Sequence, residues 1–379
     1  MDKHTLKIVG KGALAAIFLY LFLVGIGLMG TAFKGFGKEF AETLLNTTSN
    51  PFVALFIGIL ATSLVQSSST TTSIVVGLVA SGVITVGNAI PIIMGANIGT
   101  TVTNTLVSLA HITRREEFKR AIAGATVHDF FNLICVAIFF PLELATGFLQ
   151  KMATKLSTTF VDFGGIKFTS PIKMATEPGI HFIKDLFTKS LDLSHNISYV
   201  LILILSIIVM YISLFLIVKL MRSLVIKKTE AVLNSVLEKN GFIGILAGLI
   251  FTVIVQSSSI TTSLLIPLIG AGILTIEVAF PITMGANIGT TATAILASFA
   301  TGNPAAITIA FCHLLFNILG VTFIYPIKIF RRIPIHLAKS LGELSFRKRR
   351  YAILYVVSIF FLIPALLIAI SKLFTQKGG

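Results

Sequence analysis

A chain of 379 residues that is 55% hydrophobic, only 12% charged and has a mean hydropathy of +0.95 excludes a water-soluble globular domain and implies a polytopic membrane protein. The formal charge of +15 does not describe a nucleic-acid interface, because Lys and Arg sit in short segments between apolar runs and not on one basic face with interleaved aromatics. Cys135 and Cys312, each inside an apolar run, exclude a disulfide framework and a cysteine-based metal site.

In chain order, runs near the roughly 20 residues that cross a bilayer predict full spans at 13–30, 88–110, 121–145, 198–218, 276–299, 305–327 and 351–371. The first follows Lys3, Lys7 and Lys11 as a signal peptide's apolar stretch would, but no small-residue cleavage pattern succeeds it, and it is read as a membrane helix. Two further apolar regions flank the clusters VQSSSTTTSIV, from Val65, and VQSSSITTSLL, from Val255, which lie 190 residues apart. Their arms are too short to cross a hydrocarbon core of about 30 Å one by one, and each region is expected to be a re-entrant helical hairpin with QSSS at its tip.

Charge parity orders these pieces. With both hairpins re-entrant, segments 1–12, 111–120, 219–239 and 328–350 share one side and hold all nine arginines, from Arg114 to Arg350. That side is cytoplasmic by the positive-inside rule, which puts the N-terminus inside, segment 148–197 outside, and the C-terminus at Gly379 outside. The two hairpins then enter from opposite faces, the inverted-repeat pattern of secondary transporters. The duplication is extensive. Asn50, Phe52, Gly58, Thr62 and Val65 recur as Asn240, Phe242, Gly248, Thr252 and Val255; PIIMGANIGTTVT from Pro91 recurs as PITMGANIGTTAT from Pro281; and, at an offset of 185, HDFFN from His128 recurs as HLLFN from His313. The resulting division is 1–49, an N-terminal span and outer connector; 50–147, the first repeat; 148–197, an outer loop; 198–239, a linking span and cytoplasmic segment; 240–327, the second repeat; and 328–379, a basic cytoplasmic loop and last span.

At a re-entrant tip one helix ends and the next begins, so unpaired backbone N–H groups and the hydroxyls and amides of Gln66, Ser67, Ser68, Ser69, Gln256, Ser257, Ser258 and Ser259 offer neutral donors to an anion. No Arg or Lys lies in either tip, so a bound oxyanion would have no fixed countercharge and cations could travel with it. The alternative is that these side chains only bond helices together. The GANIGTT segments, Gly95–Thr101 and Gly285–Thr291, place two glycines and an Asn inside apolar spans. Either the helix breaks there, so that carbonyls, Asn97, Asn287 and the Thr pairs Thr100/Thr103 and Thr290/Thr293 offer oxygens to a hard cation, or the glycines form a close-packing face. A phosphate-cradling P-loop is excluded by the missing Lys and strand, and hydrolysis by the missing G-x-S-x-G elbow. His128 and Asp129 leave a proton relay open.

The paired QSSS clusters, the paired MGANIGTT segments and EFKRAIAGATVHDFFN from Glu117 closely resemble the type II sodium-dependent phosphate cotransporter family. The resemblance covers Asn50–Pro141 and Asn240–Pro326 and suggests a compact bacterial-type member. It implies an all-α, inverted-repeat membrane protein that is not an enzyme and carries no cofactor, with sodium as coupling ion, inorganic phosphate as substrate, a cell-membrane location and a homodimeric state. Phosphate is then expected at the eight tip residues. Sodium is expected at Gln256, Ser257, Thr290 and Thr293, with Gln66, Thr100 and Thr103 added by symmetry. Segment 148–197 has no Cys, so the disulfide-linked outer loop of animal members is not carried over. A transporter of another oxyanion, such as sulfate or arsenate, would share these motifs, whereas a passive anion channel would have a continuous polar lining in place of two tips closing one site.

Overall fold

The computed structural model describes residues 3–162, 171–191, 193–237 and 241–377, and every regular element among them is helical. Asn240 and Gly379, the expected start of the second repeat and outer terminus, lie outside the described residues, as does 163–170 within the expected outer loop. In order the helices are α1 (Lys3–Gly35), α2 (Gly37–Thr48), α3 (Pro51–Val65), α4 (Ser68–Ala80), α5 (Val86–Thr100), α6 (Val102–Ser108), α7 (Arg115–Thr146), α8 (Phe148–Asp162), α9 (Pro171–Asp185), α10 (His195–Leu237), α11 (Gly241–Val255), α12 (Ser258–Ser263), α13 (Leu265–Gly270), α14 (Ile276–Thr301), α15 (Pro304–Ile324), α16 (Lys328–Arg347), α17 (Arg350–Val357) and α18 (Ile363–Lys377). Among the described residues, six helical stretches are long and apolar enough to cross a membrane: 10–35, 86–111, 115–146, 195–217, 304–324 and 350–371. These match six of the seven expected spans. The seventh, 276–299, is the 26-residue α14, made less apolar by its Thr, Asn and Ser side chains.

Local chemistry sets the ends of the short helices. Asn50 caps α3 by accepting from the N–H groups of Phe52 and Val53, with Pro51 at the first helical position. Asn303 and Pro304 start α15 in the same way. The second arm of each tip region ends alike: Val83 N–H bonds the Leu78 carbonyl around Gly82 at φ +78°, and Ile273 N–H bonds the Leu268 carbonyl around Gly272 at φ +78°. Both are glycine-terminated helix ends of the six-to-one type.

The two halves are built by one packing rule. α3 lies along α5, and α11 lies along α14. A Cβ on Gly95 would overlap the Leu55 carbonyl, and one on Gly58 the Ile92 carbonyl; Gly285 and Gly248 stand in the same relation to Ile245 and Ile282. The backbones therefore touch at matching places in both halves. This corrects the expectation of a broken helix at GANIGTT in the second repeat, and in the first it confines the break to the last residue of the motif. α14 runs unbroken from Ile276 to Thr301, and in the first half the helix is interrupted only at Thr101, between α5 and α6. The glycines serve close approach because an added side chain has nowhere to go, while the helical hydrogen bonds around them remain intact. The described part of 148–197 is largely helical as well: α8 packs on α15 and α9 on α1.

Candidate functional site

Each QSSS cluster is a turn between two helices. Gln66 ends α3 at φ 56°, and Gln256 ends α11 at φ 57°; these are the non-glycine residues with positive φ among the described residues. Each donates its backbone N–H to a threonine carbonyl one turn back, Thr62 and Thr252, at 2.7 Å. The left-handed conformation costs a side-chain-bearing residue about 1–2 kcal/mol, and glycine or asparagine is usual at such a helix end. Glutamine therefore occupies both positions at a conformational cost. Ser67 and Ser257 follow in extended conformation and cap α4 and α12, accepting from Thr70 N–H at 3.2 Å and Ile260 N–H at 3.3 Å. The capping leaves the N–H groups of Ser68 and Ser69, at the start of α4, without an intrahelical acceptor.

The two turns meet. Gln66–Ser69 and Gln256–Ser259, all eight tip residues expected to hold an anion, line one cavity of about 300 Å³. Among its lining residues are no Lys, Arg, Asp, Glu or His. Sequence reasoning missed its third wall, Tyr211, Leu214 and Phe215 of α10; the hint was a tyrosine hydroxyl, with Ser206 and Ser213, inside a largely apolar run.

The expected cation ligands are not all brought together: Gln66, Gln256 and Ser257 line the cavity, and the others lie outside its lining. Gln256 and Thr293 are brought together, the Thr293 hydroxyl donating to Gln256 Oε1 at 2.8 Å, and Ser69 Oγ lies 3.5 Å from the same hydroxyl across the repeat boundary. Thr290 and Thr100 are buried and bond back to the carbonyls of Ala286 and Ala96 on their own helices, away from the cavity lining. Thr103 has a buried hydroxyl with no partner.

Asn97 and Asn287 stand apart from the cavity, in a buried polar lock. His128 Nε2 lies 2.9 Å from Asn287 Oδ1, which can only accept, so the ring nitrogen donates. Asn287 donates to Asn132 Oδ1 at 2.7 Å, and Asn132 donates to the Asn97 carbonyl at 2.8 Å. His313 Nε2 then reaches Asn97 Oδ1 at 3.3 Å. The pairing is reciprocal, since His128 of the first half holds Asn287 of the second and His313 of the second holds Asn97 of the first. Such an exchange of like partners is what a two-fold relation between the halves produces. A second exchange repeats it, with Asn303 donating to the Ala80 carbonyl and Arg120 to the Gly270 carbonyl, both at 2.8 Å, at the far ends of the two tip regions. Asp129, beside His128, is fully buried and faces Thr101, Thr105 and Tyr355.

The halves are not identical at the tips. Thr252 and Thr261 share a 2.7 Å hydroxyl bond in the second, whereas the Thr62 hydroxyl in the first is buried and unpartnered.

No solved structure matches the chain. Sodium-dependent phosphate transport protein 2B of Homo sapiens is 36% identical over 96% of this chain and 65% of its own length, and protein 2A of Rattus norvegicus is 36% identical over 93% of this chain and 66% of its own. A similar match is found to protein 2B of Pongo abelii, 36% identical over 96% of this chain and 66% of that protein. The chain thus spans slightly less than two thirds of the length of these relatives. The profile of the Na+/Pi-cotransporter family matches residues 21–169 and 196–337, which takes in both tips, both GANIGTT helices and both histidines of the buried lock, and the chain belongs to that family.

Proposed function

We propose that the chain is a sodium-coupled symporter that imports inorganic phosphate by alternating access, with the anion held between the two QSSS tips. The observation that carries the reading is the single cavity shared by both tips and lined without Lys, Arg, Asp, Glu or His. A tetrahedral oxyanion there would be bound by serine hydroxyls, the Gln66 and Gln256 amides and the N–H groups that open α4. Neutral donors leave its charge uncompensated in a medium of low dielectric, so a cation that arrives with it lowers the cost of the pair. The printed names of the relatives, sodium-dependent phosphate transport proteins, support sodium and phosphate as the two ions.

On this reading sodium sits beside the second tip, among oxygens of Gln256, Ser257, Thr290 and Thr293. The Thr293–Gln256 bond already holds two of these oxygens 2.8 Å apart. Sodium binding that rearranges Gln256 completes the anion site, and coupling follows because the phosphate-competent conformation is only fractionally populated without the cation. Gln66, Thr100 and Thr103 are the symmetry-related candidates. Asn97 and Asn287 act in the buried lock, with the Asn287 side chain bonded to His128 and Asn132 and Asn97 Oδ1 to His313. The basic segments 1–12, 111–120, 219–239 and 328–350 face the cytoplasm.

The test is radiolabelled phosphate uptake into proteoliposomes under an inward sodium gradient, against the same gradient of potassium or choline, with sulfate and arsenate as competitors. Accumulation above equilibrium only with sodium supports the symporter. Equal flux with every cation overturns it in favour of a passive pore, and full competition by sulfate reassigns the substrate.

A further inference from the structure

α16 presents three faces. At 3.6 residues per turn, Pro334, Ala338, Leu341, Gly342 and Ser345 fall on one side and are buried. That face lies on the first turns of α7, so closely that a Cβ on Gly342 would come 2.7 Å from the Lys119 carbonyl. A second stripe, Ile329, Ile333, Leu337 and Leu344, spans about 80° of the helix and is exposed by 72%, 41%, 38% and 46%. The third face carries Lys328, Arg332, His336, Lys339 and Glu343, all exposed.

A helix surrounded by water has no use for the second stripe, and a helix that crosses a bilayer cannot carry the third. α16 has five Lys or Arg residues and one Glu in its 20 residues. Its position resolves the conflict. It begins just after the apolar α15 ends and finishes just before the apolar stretch from Arg350 begins, and it rests on the end of α7 that carries Arg115, Lys119 and Arg120. That is the level of a membrane surface. A helix there has protein on one side, acyl chains below a second edge and headgroups along the third.

We propose that α16 is an in-plane interfacial helix whose Ile329–Leu344 stripe lies among acyl chains and whose basic edge binds anionic phospholipid headgroups. Charge singles out that occupant. Lys339 is paired with Glu277 at 2.6 Å, and Glu343 with Lys119, which neutralises the edge nearest α7 and α14. Lys328, Arg332 and Arg347 have no acidic partner among the described residues, and Lys348, Arg349 and Arg350 continue the basic run, with Arg349 bonded to the Thr113 carbonyl at 3.1 Å. A second copy of the chain laid on this edge would oppose like charges. An anionic leaflet complements them, and each basic residue near the surface contributes to lipid preference by about fivefold.

The proposal is independent of transport and is tested without it. Cys135 and Cys312 are buried, so an environment-sensitive thiol label can be placed at Ile333→Cys or at His336→Cys in the purified full chain, reconstituted in vesicles containing brominated phosphatidylcholine or brominated phosphatidylglycerol. The 333 label is expected to be quenched by bromolipid and protected from aqueous iodide, and the 336 label to show the reverse. Brominated phosphatidylglycerol should quench the 333 label more strongly than brominated phosphatidylcholine at equal mole fraction. Replacing Lys328, Arg332 and Arg347 together with Gln should sharply reduce that difference, with Lys348 and Arg350 still in place, while leaving quenching by phosphatidylcholine unchanged. Iodide quenching at 333 would overturn the acyl-chain placement, protection from both quenchers would mean that another protein surface covers the stripe, and equal quenching by the two lipids in the unaltered charge background would overturn the headgroup assignment.

Discussion

Gln66→Gly separates the shape of the first tip from its chemistry. Gln66 holds φ 56° and its side-chain amide has no hydrogen-bond partner among the described residues. Relieving the left-handed strain is worth about 1–2 kcal/mol, and the greater freedom of glycine in the unfolded chain takes back about 0.5–1 kcal/mol. The variant should therefore be more stable by about 0.5–1 kcal/mol, a factor of about two to five in the folding equilibrium. Gln256→Gly gains the same relief at φ 57° but loses both the 2.8 Å bond from Thr293 and the 2.6 Å bond to the Val253 carbonyl, each worth about 1 kcal/mol, and should come out less stable by about 1–1.5 kcal/mol. Both variants remove an amide from the cavity, and both should lose most phosphate uptake. Thermal unfolding of the purified protein in detergent and uptake into proteoliposomes read the two effects separately. A Gln66→Gly protein that is less stable would show that the side chain is structural. One that transports normally would remove Gln66 from the anion site.

The serine tips predict that Ser68→Ala and Ser258→Ala each abolish uptake while the protein still elutes as a single folded species; unaltered uptake in either would refute the tip assignment. Thr290→Ala should raise the sodium concentration for half-maximal uptake more than the phosphate concentration, and an effect confined to phosphate would move Thr290 to the anion site. Gly95→Ala and Gly285→Ala should each cost about 1–3 kcal/mol through overlap with the Leu55 and Ile245 carbonyls. Gly30→Ala, where no atom lies near the added methyl, should instead stabilise α1 by about 0.5–1 kcal/mol, and equal melting temperatures for the three variants would refute the packing argument.

What could be read from the sequence was whatever repeats or has a period. The apolar runs returned six of the seven expected spans, and the duplicated clusters located the residues that share the cavity, because an internal repeat at an offset of 190 selects the same positions twice. GANIGTT was ambiguous for a physical reason. Two glycines four apart weaken an isolated helix and equally admit a neighbouring backbone, and only the positions of Leu55 and Ile245 decide between the two. The third wall of the cavity was hidden for a different reason. Tyr211, Leu214 and Phe215 face the tips only because α10 packs where it does, and a span apolar on every side apart from scattered Ser and Tyr residues gives little sign of a preferred face. Likewise HDFFN and HLLFN were visible as a repeat, but their exchange of partners with Asn287 and Asn97 required the fold.

The remaining asymmetry between the tips determines whether the two halves bind cations alike. Thr103 and Thr293 occupy equivalent positions, yet Thr293 donates to Gln256 and the Thr103 hydroxyl is buried without a partner. Valine replaces threonine with little change of shape. At 103 it removes a hydroxyl whose burial without a partner costs about 1–3 kcal/mol, so Thr103→Val should be neutral or stabilising. At 293 it removes the donor to Gln256 Oε1, so Thr293→Val should lose about 1 kcal/mol and raise the sodium requirement. If cation binding is confined to the second tip, Thr103→Val leaves sodium dependence untouched. If it weakens sodium dependence as much as Thr293→Val does, the unpartnered hydroxyl is a ligand, and the first tip carries a cation of its own. The two variants measured side by side, by sodium titration of uptake and by thermal unfolding, distinguish these outcomes, because a purely structural loss would move the melting curve without moving the sodium midpoint.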